Sequence, residues 1–174
     1  MLKLYKPLAL ASVVALAACT STPAPETAVA TTPTVTPAQR LATIEQVAGV
    51  ADNELNVQPL RDPEVDDLRQ QAQHQQQAGD LDAAIGSLDQ ALQLVSGDPG
   101  LLQERAELAL LKQDYQGAEK FALQALQLGS RTGPLCRRHW ATVEQSRLAR
   151  DEQQNAESAH AQIDTCTVAG IQRF

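Results

Sequence analysis

The chain has 174 residues, enough for one ordinary domain with tails, so no second domain needs to be sought. It carries 14 basic and 21 acidic residues, a formal net charge of −7. That balance argues against binding nucleic acid and against broad contact with anionic lipid.

The first eighteen residues divide into a basic start with Lys3 and Lys6, an apolar stretch from Leu8 to Leu16 and the small pair Ala17-Ala18. This is the layout of a cleaved signal peptide, and the apolar run is shorter than the roughly 20 residues that span a bilayer. The segment Leu16-Ala17-Ala18-Cys19 resembles the lipobox of bacterial lipoproteins. The resemblance implies cleavage before Cys19, a diacylglycerol on its thiol and an acylated new amino terminus (palmitate is the usual label for such chains). In that family an Asp directly after the cysteine tends to retain the protein at the inner membrane. Thr20 stands there, so the resemblance implies an outer-membrane lipoprotein facing the periplasm. An ordinary signal peptide followed by a chance cysteine is the competing reading. With Lys3 and Lys6 removed, 12 basic and 21 acidic residues remain, a net charge of about −9. The expected membrane link is therefore acyl chain, not a charged patch.

Residues 19–40 are dominated by Thr, Pro and Ala, with Pro23, Pro25, Pro33 and Pro37, and offer little from which to build a core. They read as a disordered tether with a reach of roughly 25 Å as a coil or about 65 Å in polyproline geometry. Residues 41–62 read as a leader segment: Leu41, Ile44, Val47 and Ala48 suggest a short helix that packs against or caps the helical region beginning at Pro63.

From Pro63 onward the sequence repeats with a period of 34. Asp80, Ala84, Gln90, Ala91, Leu92, Gln93 and Leu94 recur as Asp114, Ala118, Gln124, Ala125, Leu126, Gln127 and Leu128, and Leu68 and Ala72 recur as Leu102 and Ala106. Each unit reads as two helices, in the first unit about Pro63 to Ala78 and about Asp82 to Leu94, joined at Gly79-Asp80 and closed at Gly97-Asp98-Pro99. Leu81, Ala84, Ile85, Leu88, Ala91, Leu92 and Val95 form one buried stripe at helical spacing.

A 34-residue helix-turn-helix with Leu68, Ala72, Gly79, Ala84, Leu88 and Ala91 resembles the tetratricopeptide repeat family, and Leu102, Ala106, Tyr115, Ala118 and Ala125 match in the second unit. Gln113 stands where the turn glycine is expected and Gln75 where an aromatic is usual. The expected fold is all-α: a short solenoid of helical hairpins, two clear units over 63–130 and a degenerate third over 131–174 opening at Pro134. Terminal units of such stacks are often atypical because one face meets water.

Setting Cys19 aside leaves an even pair, Cys136 and Cys166, in a chain read as exported to an oxidising space. In an antiparallel helix pair the start of one helix lies beside the end of the other, so a disulfide stapling the last hairpin is the natural use; two free buried thiols are the alternative.

The sequence holds no glycine-rich phosphate loop, no Gly-x-Ser-x-Gly elbow and no His-Glu-x-x-His helix. His74, His139 and His160 stand apart, none at metal-ligand spacing. The reading is therefore not an enzyme, with no cofactor and no metal. In the repeat family the first helix of each unit lines a concave groove that receives partner peptides. Carried onto this chain, the groove positions are Asp66, Arg69, Gln73, Gln76, Gln77, Gln103, Glu107, Leu110, Leu111, Arg137 and Glu144. That face is polar and rich in amides, suited to a peptide backbone; the competing reading has it occupied by the chain's own leader or left as plain surface. The expected function is a membrane-anchored periplasmic interaction module or scaffold with a protein or peptide partner, supporting pilus, secretin or cell-wall assembly. A spacer lipoprotein without a specific partner, or an envelope enzyme or ligand carrier with an unfamiliar site, are the alternatives.

Overall fold

The computed structural model describes residues 34–49 and 62–167, and these hold seven helices and no strand. In chain order they are α1 (Pro37–Ala48), α2 (Pro63–Gln77), α3 (Leu81–Leu94), α4 (Pro99–Leu111), α5 (Tyr115–Leu128), α6 (Pro134–Leu148) and α7 (Gln153–Thr165). The last six form three antiparallel hairpins, α2–α3, α4–α5 and α6–α7, stacked in sequence through α3 on α4 and α5 on α6. This is a helical-hairpin solenoid. Signal peptide, Cys19 and most of the tether lie outside the described residues, as do residues 50–61 of the leader and the tail from residue 168. Among the described residues no helix is long and apolar enough to cross a membrane.

The helix starts are written locally. Proline occupies the first turn of α1, α2, α4 and α6, where its missing N–H is an orphan in any case. Aspartates 62, 80, 98 and 114 cap α2 to α5, each accepting from a backbone N–H of the first turn.

The three hairpin turns share one geometry. The residue before the N-cap of each second helix lies in the left-handed region: Gly79 at φ 82°, Gln113 at 65° and Asp151 at 60°. The next N–H reaches back five residues, from Asp80 to the Gln75 carbonyl, Asp114 to Ala109 and Glu152 to Arg147. Gln113, which departs from the glycine expected there, keeps the turn, at the roughly 1 kcal/mol that a side chain loses in this conformation. The third hairpin, degenerate in sequence, repeats the turn faithfully.

Buried alanines set the stacking distance. Ala72 and Ala106, Ala84 and Ala118, and Ala91 and Ala125 recur at the period of 34, and none is more than 3% exposed. Around them Val65, Leu88, Leu101 and Leu108 fill the first seam, and Ala122, Val143 and Ala159 the last. Cys136 and Cys166 are bonded, joining the start of α6 to the end of α7, where the Gly133 N–H also donates to the Cys166 carbonyl at 2.7 Å.

One boundary differs from the sequence expectation. The stretch read as tether through Arg40 gives way to helix at Pro37: the Thr36 hydroxyl accepts from the Gln39 N–H while the Gln39 side chain accepts from the Thr36 N–H. That reciprocal capping box, with proline at the first helical position, starts a helix where the composition suggests a coil. Arg40 is accordingly buried rather than solvated.

Candidate functional groove

The first helices of the hairpins, α2, α4 and α6, form one side of the stack, and α1 lies on that side against α6 and α4. It is held at three points along its length. Arg40 Nη1 donates to the Gln145 side-chain and backbone carbonyls at 3.2 and 3.4 Å. Ile44 is fully buried among Leu110, Ala109, Ala141 and Ile163. At the far end the Ala48 carbonyl accepts from Nε and Nη2 of Arg137 at 3.0 and 2.9 Å, so a guanidinium closes the carboxyl end of the helix. α1 thus runs antiparallel to α6 and fills the part of the concave face that α4 and α6 frame.

A helix of twelve residues is marginal in isolation, so α1 persists through this docking. Ile44→Ala removes the one fully buried aliphatic side chain of α1, a change of about 2 to 5 kcal/mol in a close-packed site. The expected result is exchange of the α1 amides at least about 30-fold faster with the α4 and α5 amides unchanged, read by hydrogen exchange. Uniform acceleration along the chain would show that α1 is not a separable unit.

The part of the face between α2 and α4 stays open as a cavity of about 670 Å³. Asp66, Arg69, Gln73, Gln76 and Gln77 on α2 and Glu107 on α4 line it, as the repeat alignment anticipates. The remaining candidate positions go elsewhere. Gln103 is 1% exposed beneath the floor, and Leu110 is 0% exposed under α1. Leu111 packs into the seam with α2 and α3. Arg137 is spent on α1, and Glu144 pairs with His160 of α7 at 3.1 Å. For all but Leu111, which the first hairpin buries, the reason is common: α1 and the third hairpin cover positions that an open solenoid would expose. Glu45, Gln70, Glu104 and Arg138 also line the cavity and escape the repeat-based reading. Glu45 belongs to α1, outside the repeat, while Glu104 and Arg138 sit beside the aligned positions Gln103 and Arg137.

The charges are arranged across helix seams. The Arg69 guanidinium bridges α2 to Glu104 on α4, with Nε to Oε2 at 3.0 Å and a second contact from Nη2 to Oε1, and also reaches Asp66 at 3.4 Å. The Arg138 guanidinium bridges α6 to both carboxylate oxygens of Glu107 at 2.5 and 2.7 Å. Burial pushes the Glu107 carboxyl above its ordinary range, against the pull of Arg138 and Gln103. Below the floor the network continues: Gln103 Nε2 donates to Glu107 Oε1 at 2.8 Å and to Thr142 Oγ1 at 2.7 Å. With both amide hydrogens committed, the Gln103 oxygen faces His139 Nδ1 at 2.6 Å and accepts a hydrogen bond from its N–H. His139 Nε2 is enclosed with no hydrogen-bond partner among the described residues. Burial, with Arg138 nearby, drops the imidazole to about 4, so this histidine is a neutral packing group. Among the described residues no three His, Cys, Asp or Glu side chains converge as metal ligands.

A solved structure shares this architecture. The chain is similar to the globular C-terminal domain of P. aeruginosa LpoP, with 27% identity and a TM-score of 0.57, over 60% of this chain and 99% of that one. Nearly the whole of that globular domain therefore has a counterpart here, and two fifths of this chain falls outside the match. No family model matches the chain, and no curated protein sequence does. The helical-hairpin solenoid thus rests on the fold and on this likeness, while the tetratricopeptide assignment rests on the repeat itself.

Proposed function

We propose that the chain is a bacterial envelope lipoprotein, acylated at Cys19 and held at the outer membrane on its periplasmic side, whose helical stack docks a protein partner. The observation that carries this reading is the open groove between α2 and α4, lined by carboxylates and amides and bordered by the helix that the tether runs into. The lipobox-like Leu16-Ala17-Ala18-Cys19, the Thr- and Pro-rich tether and the bonded Cys136–Cys166 pair fit an oxidising compartment outside the cytoplasm. The LpoP unit that matches is likewise a globular C-terminal domain, and here the hairpins also come after an N-terminal stretch of different composition.

The groove residues are built for contact rather than reaction. Its two guanidiniums are paired with carboxylates across helix seams, which holds them in place, and no lining nucleophile stands beside a base. Support of an envelope assembly, the cell-wall machinery or a pilus or secretin complex, is the role that location and surface fit together. A photoreactive phenylalanine analogue placed at Gln73 in the acylated protein, irradiated in the membranes of its host, is expected to yield one discrete protein adduct. The same probe at Gln153, exposed on α7, is expected to yield none. Equal labelling at the two sites, or none at Gln73, would remove the groove from the function.

A further inference from the structure

We infer that the groove recognises a cationic, locally extended protein segment, and that α1 supplies part of the recognition by lending Glu45 to the wall. This rests on the groove being the docking site, and it adds the chemistry of what docks.

The groove contains two guanidiniums and four carboxylates. Both guanidiniums are consumed within it, Arg69 by Glu104 and Asp66 and Arg138 by Glu107. Two carboxylates are left in excess. The Glu45 carboxylate is exposed and makes no hydrogen bond or close ion pair among the described residues, acting on Arg138 only at longer range, and Asp66 keeps 45% of its side chain exposed beside its 3.4 Å contact. They line the cavity from different helices, Glu45 on α1 and Asp66 on α2, so a positive side chain entering it meets negative charge from both. An anionic partner would have to break one of the internal pairs first. Electrostatic complementarity of this kind sets partner choice and register more than raw affinity.

The wall between those charges is a row of amides. Gln70, Gln73 and Gln77 fall at i, i+3 and i+7 on one face of α2, with Gln76 beside them, and none makes a side-chain hydrogen bond among the described residues. Each offers a carbonyl acceptor and an amide donor, which matches the alternating N–H and C=O of an extended backbone better than a helix, whose backbone groups are internally satisfied. A volume of about 670 Å³ lies within the 300 to 1,000 Å³ usual for specific small sites, room for a short stretch of chain and no more. Placing Glu45 on α1 has a further consequence: the site is complete only when α1 is docked, so the element that comes after the tether belongs to the recognition surface.

The test uses the full-length acylated protein in nonionic detergent and fluorescein-labelled nonapeptides of alternating alanine with lysine or alanine with glutamate, read by anisotropy. The lysine peptide is expected to bind at least tenfold tighter than the glutamate peptide. The double variant Glu45→Gln with Asp66→Gln is expected to weaken it at least tenfold, and Gln73→Ala about fivefold, the loss of roughly one hydrogen bond. Glu157→Gln with Asp164→Gln, an equal charge change on exposed α7 positions, is expected to alter binding less than twofold. Equal weakening by the α7 pair, equal binding of the two peptides, or displacement by spermidine as effective as by unlabelled lysine peptide at equal charge would each overturn the inference. A discrete adduct at Gln73 combined with any of these would leave the docking role standing and the cationic partner refuted.

Discussion

Replacing both Cys136 and Cys166 by alanine is expected to lower the unfolding free energy by about 3 to 4 kcal/mol, the chain-entropy value for a loop of 30 residues. A domain of this size has roughly 5 to 15 kcal/mol in all, so the change is a large share of its stability. The physical reason lies in the last hairpin. α7 packs on one side only, and of its residues Ala156, Ala159 and Ile163 are buried, two of them alanines. Their transfer from water contributes far less than the leucine-rich seams of the first two hairpins. The covalent link holds the two ends of α6–α7 together, beside the Gly133 to Cys166 hydrogen bond. Urea unfolding of wild type and double variant at pH 7, followed by far-ultraviolet dichroism, measures the effect. An unchanged midpoint would mean that the packing of α7 suffices by itself. Loss of α7 amide protection ahead of the rest, by contrast, would locate the effect in the terminal hairpin.

The second large effect is a pH dependence centred on His139. Its imidazole is buried and held at about 4 in the folded chain, against an ordinary value near 6.5. Above pH 6.5 the group is neutral in both states and its contribution is fully present. As pH falls below 6.5 the unfolded chain takes up a proton that the folded chain refuses, so stability declines until the folded imidazole also titrates near 4. The span of about 2.5 units corresponds to about 3 kcal/mol lost between pH 6.5 and 4. Glu107 acts in the opposite sense, because a carboxyl raised by burial favours the folded state as pH falls through its range. Comparison of wild type with His139→Gln separates the two, since Glu107 remains in both. The difference in unfolding free energy between the proteins is expected to shift by about 3 kcal/mol from pH 7 to pH 4. Parallel pH profiles would show that His139 takes up its proton with the chain folded.

The two halves of the groove carry different consequences for mutation. Changes at Ile44 or Arg137 act through the position of α1, and so through Glu45, without touching a docked segment. Changes at Gln73 or Asp66 act on the segment directly, and their side chains sit on a helix whose own packing depends on Val65 and Ala72. A loss of binding with α1 amide protection intact therefore points to the open face, and a loss accompanied by faster α1 exchange points to the wall.

How much was legible from sequence depends on the range of the forces involved. Helix ends were, because a cap or a first-turn proline acts within four residues: Asp80 and Asp114 cap at the period of 34, Asp62 and Asp98 cap directly before Pro63 and Pro99, and Pro134 opens the third hairpin. The same local signal was present at Thr36-Pro37-x-Gln39, where a Pro/Thr composition masked a capping box. The repeat of 34 determined which alanines lie between helices, since stacked identical hairpins bury equivalent positions. It also brought six of the groove positions to one open cavity.

What the sequence by itself determined, then, is the set of hairpins, their order and the polar character of α2. The tertiary structure decided which part of the concave face is open. That depends on α1, whose docking joins Arg40 to Gln145 across 105 residues and Ala48 to Arg137 across 89. No periodicity encodes contacts between a helix outside the repeat and helices within it, for they depend on shape and on charges that become neighbours only after the stack has formed. For the same reason the charge-paired groove floor, Arg69 with Glu104 and Arg138 with Glu107, exists only when adjacent hairpins are in register.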